Sequence, residues 1–197
     1  GKTTLKEMLS GILKTVTDDV CVTRSNNNNE IGVPLTMLSL NMEDKYLVIE
    51  LGARNRNDIK YLTQFVKPNV AIVTDVTHDT STPMIEAKKQ GDVKIGKGPV
   101  ISYAPAVQNN LREKIINTAE KNKIPFQRAA SSRYTGTDTD AFAYSNGGVP
   151  SALISLPLRY MHTTVEMVQK DDVENVIKLI YETLKNIKAD ESFSYFD

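Results

Sequence analysis

Two apolar runs constrain the fold of this chain more than any other feature of its sequence. KYLVIELGA, residues 45–53, and VKPNVAIVTDVT, residues 66–77, are rich in branched apolar residues without polar alternation, which is typical of strands buried on both faces. Pro68 marks the start of the second strand. A short helix is predicted over residues 57–66, so the order strand, helix, strand favours a parallel sheet covered by helices.

Helical and strand patterns alternate along the rest of the chain. Apolar residues at helical spacing predict a helix over residues 3–14 and another over residues 171–187, the latter capped by Asp171 or Asp172. Residues 78–97 are polar and Gly-rich and predict a long loop. The predicted fold class is α/β, a three-layer αβα sandwich with a mostly parallel sheet. No linker or internal repeat is evident, so we expect residues 1–197 to form a single domain.

Composition excludes several classes of function. The net charge is zero, which argues against a basic face for nucleic acid, and no apolar run approaches the roughly 20 residues of a membrane span. Cys21 is the single cysteine, so an intrachain disulfide is excluded and a reducing, cytoplasmic compartment is favoured.

The first four residues, Gly-Lys-Thr-Thr, match the second half of a phosphate-binding loop that runs into a helix. In such a loop the lysine contacts the outer phosphates and a threonine hydroxyl contacts magnesium, while a strand, a first glycine and four further residues come before. That first half has no counterpart in the sequence. We therefore interpret Lys2 and Thr3 as the remnant of a phosphate site, the alternative being an ordinary first helical turn that attracts anions weakly.

Residues 1 to about 74 resemble the central ATP-binding domain of the Mur ligases. The resemblance is carried by GKTTLKEMLSGIL, by NNNNEIGVPLTML and by YLVIELGARNRNDIKYLTQFVKPNVAIVT, in that order. It implies that Lys2 contacts the phosphates, that Thr3 binds magnesium and that Glu50 binds a second magnesium. Carboxylate and hydroxyl oxygens beside phosphate suit such hard divalent ions.

Residues from about 70 to 187 resemble a different family, the dinuclear-metal aminopeptidases of the tetrahedral, glutamyl-aminopeptidase type. The matching text is VTDVTHDTSTP, KIGKGPVIS and TGTDTDAFAYSNGGVPSALISLPLRYMHTTVE, from the C-terminal part of the catalytic domain. The resemblance implies that Asp75 is a carboxylate ligand of one metal and His162 an imidazole ligand of the other. Zinc or cobalt held in this way activates water for peptide hydrolysis.

Each resemblance is incomplete. The ligase part lacks the adenine site and the acceptor-amine domain, and the peptidase part lacks the upstream histidine, the bridging aspartate and the paired glutamates. The text KPNVAIVTDVT belongs to both families, so a join within residues 68–77 would let one sheet continue across it. We interpret the chain as an engineered chimera of a fragment over residues 1–74 and a fragment over 75–197. We expect neither native catalytic activity nor a required cofactor.

Two alternatives keep a function for the surviving residues. In the first, Asp75 and His162, with His78 as a further ligand, hold adventitious zinc, cobalt or magnesium and support residual aminopeptidase activity. In the second, Lys2, Thr3 and Glu50 form a weak nucleotide site. We also expect newly exposed apolar surface to favour a homodimer.

Overall fold

The computed structural model describes residues 2–52, 57–188 and 190–194, except for the side chains of Lys2, Thr4 and Leu5. The helices are α1 (Lys2–Lys14), α2 (Gly32–Leu38), α3 (Asp58–Val66), α4 (Ala87–Gln90), α5 (Asn109–Lys121), α6 (Asp138–Ala143) and α7 (Lys170–Asn186). The strands are β1 (Val20–Val22), β2 (Tyr46–Val48), β3 (Ala71–His78), β4 (Val100–Tyr103), β5 (Gln127–Ala130) and β6 (Ser151–Leu158).

The strands form two sheets. In the smaller sheet β1 pairs with β2 in parallel, and in the larger one the order is β3-β6-β4-β5. Pairing is parallel between β3 and β6 and between β4 and β5, whereas β4 runs antiparallel to β6. The predicted α/β class with mostly parallel pairing is confirmed.

One sheet running across the join was expected, and that expectation is wrong for the described residues. There β2 and β3 are not hydrogen-bonded neighbours, although helix α3 connects them in sequence. The physical reason lies in β2: within the described residues 45–52 of the predicted strand, only Tyr46–Val48 form a regular ladder, and all three pair with β1.

The main core lies on one face of the larger sheet. Ala152 and Ile154 alternate along β6 and pack with apolar residues of α5 and α7, among them Leu111, Ile115 and Leu179. These helices have one apolar stripe, and burying each large aliphatic side chain contributes roughly 1.5–3 kcal/mol to stability. Helix α6, with α3 against it, packs against β3 and β6 on the other face. The sheet therefore lies between two helical layers.

The smaller sheet has its own cluster of apolar residues. Leu13 of α1, Val20 of β1 and Val48 of β2 are buried together, and Tyr181 of α7 packs against them. Cys21 lies on β1 as a free, half-buried thiol, with its Sγ 3.5 Å from Oγ of Ser39. The contact with Tyr181 joins this unit to the rest of the molecule through α7.

The predicted loop over residues 78–97 contains the short helix α4 and is anchored by a buried carboxylate. Asp172, in the first turn of α7, accepts hydrogen bonds from the backbone amides of Gly96 (2.6 Å) and Gly98 (2.8 Å). The prediction that Asp171 or Asp172 caps α7 is wrong, because the N-cap residue is Gln169, which makes no side-chain cap bond. The Asp172 carboxylate instead accepts hydrogen bonds from amides that are distant in sequence.

Candidate functional site

The first candidate site lies where β2 ends. Glu50 is 7% exposed, and its Oε1 accepts hydrogen bonds from Oγ1 of Thr3 (3.1 Å) and from Nδ2 of Asn28 (3.0 Å). Its Oε2 is buried and has no hydrogen-bond partner among the residues that the structure describes. A buried carboxylate oxygen without a donor is costly, so this atom is available to a cation or a donor from outside the described chain.

The backbone around Glu50 is held by residues of the neighbouring strand and loop. The Glu50 amide donates to Oγ1 of Thr23 (3.0 Å), and the Gly52 amide donates to the Asn28 carbonyl (2.7 Å). A Cβ on Gly52 would lie 2.8 Å from the end of the Asn28 side chain, so a larger residue there would displace the amide that donates to Glu50. Lys6 is buried as well, and its Nζ donates to the carbonyl oxygens of Thr23 and Ser25.

The structure thus brings together Thr3 and Glu50, two of the three residues that the ligase resemblance assigns to nucleotide and magnesium. The side chain of Lys2 lies outside the described residues. Sequence reasoning missed Asn28 as a partner of Glu50, although the run of asparagines at residues 26–29 was a signal. Within that run Oδ1 of Asn29 accepts from the amide of Gly32 (2.9 Å), the first residue of α2, while Asn28 donates to Glu50.

The second candidate site involves β3 and the segment that follows β6. Asp75 lies on β3 opposite Ser155 of β6, and its Oδ1 accepts from the amide of Val76 (2.8 Å). His78 is the last residue of β3, and its Nδ1 is buried without a hydrogen-bond partner in the described part of the chain. Because side chains alternate along a strand, Asp75 and His78 point to opposite faces of the sheet. The expected cooperation of these two residues at one metal is therefore not supported.

Asp79 follows β3 and is fully buried. Its carboxylate accepts from the amides of Ser81 (2.6 Å) and Ile95 (3.2 Å). Burial alone would raise the pKa of Asp79, but these hydrogen bonds and the positive charge of Arg159 outweigh burial and hold its pKa below the ordinary value. The carboxylate therefore serves to fix the loop after β3.

His162 lies in a hairpin that continues from β6. Arg159 and Met167 exchange two backbone hydrogen bonds of 3.0 and 3.1 Å, and the residues between them form the tip of this hairpin. His162 is exposed there with a left-handed backbone, φ 65°. Glu166 accepts from the backbone amide of His162 (2.6 Å) rather than from its ring. The imidazole is therefore presented to solvent, and Glu166 fixes the turn.

The side chains of the second candidate site provide only part of the ligand set that a metal ion needs. One carboxylate and one imidazole suit zinc or cobalt chemically, and both lie toward the carboxyl ends of the neighbouring parallel strands β3 and β6. However, residues 2–52, 57–188 and 190–194 contain no group of three or more His, Cys, Asp or Glu side chains that could hold a metal ion. A dinuclear site is not assembled from these residues alone, and we derive no catalytic step from it.

No helix in the described part of the chain is both long and apolar enough to cross a membrane.

Comparison with known proteins finds both resemblances. The model of the M42 glutamyl aminopeptidase family matches residues 50–179. The lysyl aminopeptidase of Pyrococcus furiosus is 37% identical over 144 residues, which cover 71% of this chain and 38% of that protein. The crystal structure of a TET aminopeptidase from a marine sediment Thaumarchaeota archaeon superposes with a TM-score of 0.61 at 29% identity, covering 68% of this chain and 37% of that one.

Ligase similarity is found alongside the peptidase similarity. The UDP-N-acetylmuramoyl-tripeptide–D-alanyl-D-alanine ligase of Buchnera aphidicola subsp. Baizongia pistaciae is 32% identical over 201 aligned residues, covering 94% of this chain and 42% of that protein. The chain thus spans about two fifths of the length of the curated relatives reported above.

Proposed function

Because the chain belongs to the M42 glutamyl aminopeptidase family, we propose that it carries part of a dinuclear-metal site and does not hydrolyse peptides by itself. The observation behind this proposal is the placement of Asp75 on β3 and of His162 beyond β6, with no group of three potential ligands among the described residues. Two ligands without supporting partners bind metal weakly. Zinc, cobalt or magnesium would then be adventitious.

The test is isothermal titration with zinc, followed by an activity assay. We expect one weak, saturable site that is lost in His162→Ala and in Asp75→Asn and kept in the control Asp171→Asn, an exposed carboxylate elsewhere. Zinc- or cobalt-loaded protein should release no p-nitroaniline from aminoacyl p-nitroanilides. Turnover that is abolished by Asp75→Asn would contradict the proposal.

The origin of the chain is part of the same proposal. We propose that residues 1–74 and 75–197 are fragments of a ligase and of a peptidase, fused within residues 68–77 into one engineered domain. Similarity to both families supports a mixed origin, and because the ligase alignment covers 94% of this chain, the position of the join rests on the text KPNVAIVTDVT, which both families share. The packing of α1 against α7 across the two fragments supports a common fold.

A second candidate function is weak magnesium-nucleotide binding, and one observation favours it. The unpartnered Oε2 of Glu50 lies beside Thr3, which the ligase resemblance assigns to magnesium. Magnesium ATP at about ten times its Kd would stabilise the fold by roughly 1.4 kcal/mol through linkage. We expect a rise in Tm that is lost in Glu50→Gln and kept in Glu43→Gln, which replaces an exposed residue before β2. A Tm unchanged by millimolar magnesium ATP would exclude this function.

We also propose that the chain forms a homodimer through α2. Exposed apolar side chains recur at helical spacing in and beside this helix, at Ile31, Leu35, Leu38 and Met42. Such a stripe is typical of a helix face that packs against another surface.

A further inference from the structure

We propose that the cavity between β2 and β3 binds an amphiphilic organic cation, namely a primary ammonium group attached to an unbranched alkyl chain. The cavity has a volume of about 390 Å³, and pockets of roughly 300–1,000 Å³ are typical for small organic ligands. Such a cation would contact Glu50, which the magnesium-nucleotide candidate also uses, but its binding requires neither magnesium nor nucleotide.

Apolar side chains from several elements form the walls of this cavity. They include Leu47 and Ile49 in and after β2, Ile72 of β3, Leu9 of α1 and Leu184 of α7. All five side chains are only half-buried in the folded chain. An alkyl chain in the cavity would remove their apolar surface from water, and this burial would drive binding.

The shape of the cavity suits a linear ligand. Its lining residues run without interruption from Tyr46 to Leu51 on one side and from Val70 to Thr74 on the other. The steps from Val70 to Thr74 cover about 13 Å at about 3.3 Å per residue. An extended octylammonium ion has a comparable length.

The charged side chains that line the cavity favour a positive head group. Among the described residues these are the acidic Glu50 and Asp138 and the basic Lys6. Oε1 of Glu50 accepts from Thr3 and Asn28, whereas its buried Oε2 has no hydrogen-bond partner in that part of the chain. A primary ammonium has three donors and no acceptor, so it can donate to this oxygen. Charge and hydrogen bonding therefore select the same head group.

Lys6 does not provide this cation, because its ammonium is held by other groups. Its Nζ donates to the carbonyl oxygens of Thr23 (2.8 Å) and Ser25 (2.7 Å). The same atom lies 2.9 Å from a carboxylate oxygen of Glu7. These three contacts match the three donors of a lysine ammonium, so Lys6 has no donor left for Glu50.

The experiment is isothermal titration of the full chain with octylammonium chloride, below the concentration at which the amine forms micelles and without magnesium or nucleotide. We expect one saturable site. Affinity should rise from hexyl- to octyl- to decylammonium by about fourfold for each added methylene, because each methylene is buried. Octanol and octanoate keep the octyl chain but lack the positive charge, and they should bind about tenfold or more weakly.

Two further measurements locate the ligand. Glu50→Gln should weaken octylammonium binding by about tenfold or more and leave octanol binding unchanged. The control Glu43→Gln replaces an exposed residue and should change neither. In the unsubstituted protein, nuclear Overhauser effects should connect the alkyl chain with the methyl groups of Leu47 and Leu184. This last measurement and the series of head groups test the site without any substitution.

Three results would overturn the proposal. Equal affinities for octylammonium and octanol would show that no carboxylate receives the head group. Overhauser effects to Leu38, in place of Leu47 and Leu184, would assign binding to the exposed stripe of α2. The absence of saturable binding would show that the cavity does not take this class of ligand. The magnesium-nucleotide candidate is tested separately, by the effect of magnesium ATP on Tm.

Discussion

The hydroxyl of Thr3 and the carboxylate of Glu50 lie 3.1 Å apart although 47 residues separate them in sequence. This hydrogen bond ties the first turn of α1 to the end of β2. Asn28 donates to the same carboxylate oxygen, and the other oxygen has no hydrogen-bond partner within residues 2–52, 57–188 and 190–194. The end of the smaller sheet is therefore organised around one buried carboxylate.

Asn28→Ala is expected to destabilise the protein by about 1.5–3 kcal/mol, because it removes a hydrogen bond to a buried charged group. Urea unfolding followed by circular dichroism measures this change. Asn26→Ala is the matched control, since Asn26 is exposed, its side chain accepts a long 3.5 Å contact from Oγ of Ser25, and its backbone bond to the Asn28 amide is kept in alanine. Equal unfolding midpoints for the two variants would contradict this role of Asn28.

Asp172→Asn should lower the free energy of unfolding by about 2–3 kcal/mol, because two backbone amides lose their charged acceptor. Asp171→Asn replaces an exposed carboxylate in the same helical turn and should change stability by less than about 0.5 kcal/mol. Thermal unfolding of both variants provides the measurement. A loss of similar size in both would mean that the helix terminus, and not the bond to Gly96 and Gly98, is responsible.

Gly98→Ala and Gly11→Ala are expected to have opposite effects. Gly98 has φ 89°, and a Cβ there would lie far inside the contact distance of the Pro125 carbonyl oxygen, so the substitution should cost about 2–4 kcal/mol. Gly11 lies within α1 with nothing near its absent Cβ, so alanine should stabilise the helix by about 0.5–1 kcal/mol. Chemical denaturation of both variants tests the pair, and effects of the same sign would refute it.

The lowered pKa of Asp79 predicts a specific dependence of stability on pH. Its pKa is lowered in the folded protein, so its contribution is complete above the ordinary value of 3.8 and is lost as the pH falls through the lowered value. Asp79→Asn should therefore flatten the fall in unfolding free energy below about pH 4. Urea titrations at a series of acidic pH values measure this slope for both proteins. Parallel slopes would show that Asp79 does not contribute to the acid sensitivity.

The proposed homodimer predicts a concentration-dependent mass. Light scattering coupled to size exclusion should show the dimer, and Leu38→Glu should convert it to a monomer because a charge replaces an apolar side chain that is 82% exposed in the single chain. Val16→Glu is the matched control, since Val16 is also exposed but lies away from α2. A monomeric wild-type protein at high concentration would refute the dimer.

Local patterns were sufficient to predict several helices and strands. The periodicity of α7 and the apolar run of β3 depend only on residues close in sequence, and the structure confirms these elements. The antiparallel direction of β4 was not predicted, because strand direction is decided by packing between distant segments. The separation of β2 from β3 escaped prediction for the same reason.

The candidate sites were predictable to a smaller extent. Motifs identified Thr3 and Glu50, which meet in the structure, and also Asp75 and His78, which strand alternation directs to opposite faces. The anchoring role of Asp172 left no local signal, because its amide partners lie 74 and 76 residues away. From sequence alone, an aspartate near the start of a helix is interpreted as its N-cap, and only the fold shows which amides it binds.

The free thiol of Cys21 can report on the smaller sheet separately from the larger one. A ladder of three residue pairs is marginal on its own, so the smaller sheet can open while the larger one stays closed. Because the chain has a single cysteine and it lies half-buried on β1, faster thiol labelling in low denaturant would report the opening of this ladder without a contribution from any other cysteine. The labelling rate of Cys21 therefore measures how easily the smaller sheet opens.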